Sequence, residues 1–70
     1  MKVYPNGTDD AMELELEQFT EGVVDIIRFD YPSSWSDSTV LDGLDLAEAD
    51  LNDHGVSVKN MGTWRNRYAH

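Results

Sequence analysis

Residues 11–31 read AMELELEQFTEGVVDIIRFDY, and the fold turns on how this stretch is read. Met12, Leu14 and Leu16 alternate with Glu13, Glu15 and Glu17, the period of a strand with one buried face. If Glu21-Gly22 closes a loop, Thr20 faces Val23 and a β-hairpin follows. Its apolar face pairs Leu16 with Ile27, Leu14 with Phe29 and Met12 with Tyr31. Its other face pairs Glu17 with Ile26, Glu15 with Arg28 and Glu13 with Asp30. A single register thus separates apolar from acidic side chains, which is how patterning fixes pairing. Glu21 suits a type I′ turn poorly, because Asn or Asp is wanted there; a four-residue loop, Thr20 to Val23, keeps the same register.

The first arm also admits a helix. Thr8 is a possible cap, Asp9 and Asp10 would lie in the first turn, and Met12, Leu16 and Phe19 have helical spacing. In a helix Leu14 would leave the apolar stripe and the cross-strand match would be accidental. The strand is the expected state.

Working outward toward the N-terminus, Met1 to Tyr4 is a short strand candidate, stopped by Pro5 and the turn residues Asn6-Gly7. On the other side, residues 32–38 (PSSWSDS) form a polar connection, in which Trp35 either plugs the core edge or serves as an exposed anchor. Thr39 to His54 reads as a helix, with Val40, Leu44, Ala47 and Leu51 on one face. Gly43 weakens its start, so Asp42 is an alternative N-cap, and Gly55 fits the C-terminal stop. Val56 to Lys59 alternates as a strand. Met61-Gly62 suggests a break or bulge, after which Thr63 to Tyr68 continues the strand or pairs with a neighbour, with Trp64 and Tyr68 on one face and Arg65 and Arg67 on the other. The expected fold is α+β, a single domain over residues 1–70: a small antiparallel sheet in the order β-β-β-α-β with one helix packed on one face.

Fourteen acidic residues against five basic ones give a net charge of −9 and a pI near 4.2. Nucleic acids and anionic membranes require a basic footprint, so direct binding to either is not expected. Every acid lies in residues 1–55; Lys59, Arg65 and Arg67 follow without one, and the arginines are expected to neutralise part of the acidic surface. Cysteine is absent, so no disulfide or thiolate chemistry is available. No apolar run has membrane-spanning length and a secretory leader is not apparent; a cytoplasmic location is expected.

Function must come from the acids. On a strand rising ~3.4 Å per residue, Glu13, Glu15 and Glu17 present carboxylates ~6.8 Å apart, the same order as phosphate spacing on a duplex. Asp30 and the helix acids Asp42, Asp45, Glu48 and Asp50 extend the set, and Trp35 is the candidate apolar anchor. No acidic cluster has EF-hand spacing, and neither His54 nor His70 has the partners that a zinc site or a catalytic triad needs. Neither metal, cofactor nor catalysis is expected; His54 is read as capping the last helical carbonyls. The expected function is a non-enzymatic module that occupies the basic groove of a nucleic-acid-binding protein. Small phage and mobile-element inhibitors act in that way on CRISPR effectors, restriction enzymes, nucleases or polymerases. The alternatives are an ordinary domain of a salt-loving organism, whose acids keep its surface hydrated, or an accessory subunit that completes its core in a homodimer or on a larger protein.

Overall fold

In the computed structural model, which describes residues 1–69, the chain forms six elements. They are β1 (Lys2–Val3), β2 (Met12–Thr20), β3 (Val23–Asp30), α1 (Asp37–Asp53), β4 (Ser57–Val58) and α2 (Met61–Tyr68). The α+β class and the β-β-β-α-β order are those expected from the sequence. Residues 12–20 are strand, not helix, so the alternation of Leu and Glu outweighs the helix propensity of those residues.

The sheet runs in the order β1-β2-β3-β4 and is mixed rather than antiparallel. β1 and β3 flank β2 antiparallel, whereas β4 lies parallel to β3, with Val23 beside Ser57 and Val24 beside Val58. The physical reason is the connection: parallel neighbours need a crossover, and α1 supplies it.

The hairpin keeps the expected register at both ends and departs from it between. Glu13–Asp30, Leu14–Phe29, Glu15–Arg28 and Thr20–Val23 pair as predicted. In the middle Leu16 meets Ile26, not Ile27, and Glu17 meets Asp25, not Ile26. Ile27 is extruded as a bulge on β3 and Phe19 as a compensating bulge on β2. The cause lies in β3 itself. Val24 and Ile26 share one parity and Phe29 has the other, so one extra residue must intervene for all three to face inward. Ile26 is accordingly 1% exposed and Ile27 43%. β3 ends at Asp30, so Tyr31 lies past the ladder. At the turn only Gly22 takes a positive φ, +74°, so Glu21 is spared the left-handed conformation that a type I′ turn would impose.

α1 begins at Asp37, earlier than either Thr39 or the Asp42 cap suggested by Gly43. Ser36 is the N-cap: its hydroxyl accepts from the Thr39 N–H at 3.3 Å. Gly43 lies inside the helix and is buried. A Cβ there would come within 2.8 Å of Met12 Cε, so the missing side chain lets α1 settle onto β2. The core is Val3, Met12, Leu14, Ile26, Val40, Leu44, Ala47, Val58 and Met61.

Residues 61–68 are helix rather than a continuing strand. Trp64 and Tyr68 are four apart, a spacing that serves a strand face and a helix face alike. Met61, buried and three residues before Trp64, tips the balance toward helix. Arg65 and Arg67 in the last turn suit the negative end of the helix dipole.

Candidate functional site

With Leu14, Leu16 and Ile26 directed to the core, the hairpin turns Glu13, Glu15, Glu17, Asp25, Arg28 and Asp30 outward. The ladder places like charges opposite one another twice, Glu13 against Asp30 and Glu17 against Asp25. Such pairs destabilise a sheet. Glu13 also has Lys2 opposite it on β1, and Glu15 has Arg28, whose Nε donates to it at 2.6 Å. Glu15 and Arg28 are both exposed, so this pair contributes no more than ~1 kcal/mol. Glu13, Leu14, Glu15, Arg28 and Asp30 line a shallow hollow of about 290 Å³.

The bulged residues add apolar surface to the hairpin. Phe19 is 55% exposed and carries the Lys59 ammonium 3.6 Å above its ring centre. Asp25 has one carboxylate oxygen closed off from solvent and without a hydrogen-bond partner. The sequence did not mark Asp25, Phe19 or Lys59 as a group. The parity break in VVDIIRF would have placed Asp25 outward, had the bulge been recognised.

The helix acids do not join this face. α1 packs on the opposite side of the sheet, so Asp42, Asp45, Glu48 and Asp50 belong to a separate surface. Arg65 bridges Asp45 at 2.7 Å and Glu48 at 2.5 Å, so that two of the predicted partner-binding acids are engaged within the molecule. This is the neutralising role expected of the C-terminal arginines. Arg67 instead stacks over Trp64, its guanidinium 4.9 Å from the ring centre. Asp42 is exposed beside Asn6 and Leu46. The Asp50 carbonyl is 2.8 Å from His54 Nδ1, which holds the His54 ring at the helix end as expected. That bond, and then the Asp50 carboxylate, raise the His54 pKa above its ordinary 6.5.

Trp35 is half-buried against the core and stacks on Tyr31, the ring centres 6.1 Å apart and 15° from parallel. It belongs to an aromatic belt with Phe29, Tyr31, Trp64 and Tyr68 that seals the end of the sheet. The Tyr31 hydroxyl donates to the Tyr68 oxygen at 3.2 Å, and the pairing with Tyr31, followed by burial, pushes the Tyr68 pKa up to about 12.

Sequence reading missed Asn60. Its side-chain amide donates to the Ile26 carbonyl at 2.8 Å and accepts from the Ile26 N–H at 2.9 Å, and Trp64 Nε1 donates to the same carbonyl at 3.1 Å. No local signal points to a bond between residues so far apart in the chain.

Among the described residues no group of three or more His, Asp or Glu side chains is placed to hold a metal ion, and no helix is long and apolar enough to cross a membrane. No known protein family, curated protein or solved structure matches the chain.

Proposed function

We propose that this chain is a non-enzymatic protein-binding module whose acidic hairpin face occupies a basic groove evolved for nucleic acid, blocking the protein that owns it. The observation that carries the reading is the outward row of Glu13, Glu15, Glu17, Asp25 and Asp30, two pairs of which are held directly opposite one another. Lys2 on β1 offsets part of the charge at Glu13, but Glu17 against Asp25 retains self-repulsion at a cost to stability, as expected where charge serves a partner and not the fold. Long-range attraction speeds such association and makes it salt-sensitive, and exposed apolar residues supply the remainder.

The test separates binding from stability. Glu13→Lys/Glu17→Lys sets cations against Asp30 and Asp25; the change at Glu17 should stabilise by about 0.2–1 kcal/mol, while the gain at Glu13 is offset by repulsion from Lys2 on β1. The same variant should lose its partners. Immobilised wild-type protein should capture nucleic-acid-binding proteins from bacterial lysate and release them to salt and to competing DNA or RNA. Equal capture by the folded double variant would sink the proposal.

Acids on α1 and in the 9–10 loop, outside the hairpin, favour a second reading: general salt adaptation in a halophile. That reading requires loss of the fold at low salt, as unscreened carboxylates repel. A far-UV circular dichroism signal unchanged by the removal of salt would rule it out.

A further inference from the structure

We infer that the open edge of β2 is a docking strand, which takes up an antiparallel segment of another protein whose side chains alternate basic and apolar. The inference rests on the acidic-face reading above and adds how the partner is held.

β1 covers only the beginning of β2. It pairs Lys2 with Glu13 and Val3 with Met12, and the Leu14 N–H donates to the Met1 carbonyl at 2.8 Å. Beyond Leu14, β2 continues to Thr20 with no strand among the described residues beside it on that side. Alternation in an antiparallel ladder decides where its backbone groups point. Leu14 bonds to β1, so Leu16 and Gln18 also point away from β3. The far side of β3 confirms the phase. Val24, opposite Gln18, gives its carbonyl to the Lys59 N–H at 2.9 Å, and Ile26, opposite Leu16, bonds with Asn60. The N–H and C=O groups of Leu16 and Gln18 therefore form an open row, ~6.8 Å apart along the edge. The far side of β3 is covered by β4, Asn60 and Trp64.

Charge selects the occupant. Exposed edges invite pairing, and side chains beside them decide with what. A second copy of this chain, paired antiparallel, would set glutamates against glutamates. A segment with Lys or Arg at alternate positions places its cations beside Glu15 and Glu17, and its apolar residues beside Leu16 on the core face.

The probe is a blocked ten-residue peptide of alternating lysine and valine, titrated into ¹⁵N-labelled protein at low salt. In the free protein the Leu16 and Gln18 amides should exchange faster than those of Glu15 and Glu17. The peptide should shift and protect them. In this register the valine N–H groups face β2, so a peptide methylated on its valine nitrogens should bind at least about ten-fold more weakly, the loss expected from unmade backbone hydrogen bonds. Gln18→Pro removes an edge-facing N–H at a position where an edge strand tolerates proline, and should show a similar loss with its far-UV spectrum unchanged. If that variant fails to fold, the methylated peptide on wild-type protein decides. Equal binding of both peptides overturns the docking strand; if Glu15→Gln/Glu17→Gln still loses affinity, the acidic-face reading stands without it. No binding of the unmodified peptide, or a dimer formed through β2, also overturns the docking strand, while the lysate experiment judges the acidic face separately.

Discussion

Asn60 does for β3 what a longer β4 would have done. Its amide offers one donor and one acceptor, as a peptide group does, and so continues the ladder past Val58. An unpaired buried backbone group costs ~1–3 kcal/mol. Asn60→Ala should therefore destabilise the protein by about 2–4 kcal/mol, two such groups being left with only the Trp64 contact between them. Asn60→Asp keeps the acceptor but sets a carboxylate against the Ile26 carbonyl, and should be no better. Urea denaturation measures both. Two titrations belong to the same scale. The raised His54 pKa means that His54 contributes stability fully below its unfolded value near 6.5, and that this contribution is lost as pH rises through the higher folded value. Asp50→Asn should lower the folded midpoint seen by NMR, though not abolish the shift, because the backbone bond remains. Tyr68 favours the folded state below its ordinary pKa of 10, and that contribution is lost between pH 10 and about 12. Tyr31→Phe should bring the late phenol titration, followed by absorbance, back toward 10.

Among the elements, α1 depends most on a single atom being absent. Gly43→Ala gains up to ~1 kcal/mol of helix propensity and forces the end of Met12 aside, at a cost of ~1–3 kcal/mol in overpacking. Gly43→Leu has no such offset beyond propensity and should destabilise by about 2–4 kcal/mol in a thermal melt, with α1 lifted from β2. The Ser36→Ala variant tests the helix start and should cost about 1 kcal/mol. What the sequence disclosed about these elements follows from how local each signal is. The Leu–Glu alternation, the Val40–Leu51 stripe and Gly55 are all legible within one turn or one strand. The bulge at Ile27 was hidden because the parity break between Ile26 and Phe29 reads as a bulge only once both are known to face inward. The helix at 61–68 was hidden because Trp64 and Tyr68 fit two periods. The sign of the acidic face was plain from Glu13, Glu15 and Glu17, but the separation of the helix acids from it required knowing which side of the sheet α1 covers.

At the scale of the whole molecule, a net charge of −9 on 70 residues opposes compaction. The melting temperature should rise with ionic strength up to a few tenths molar, where the screening length falls below ~8 Å. The Glu13→Lys/Glu17→Lys variant should show a weaker salt dependence than wild type, since it carries four fewer units of negative charge. The aromatic belt sets how such melts must be followed. Trp35 and Trp64, the only tryptophans, both lie in it. Intrinsic emission therefore reports the β3–α2 side of the sheet and not the β1–β2 edge. If opening is all-or-none, emission and far-UV ellipticity will trace one curve. A tryptophan placed at Tyr4 gives the silent edge its own voice, and an earlier midpoint there would mean that the edge of the sheet opens before the belt does.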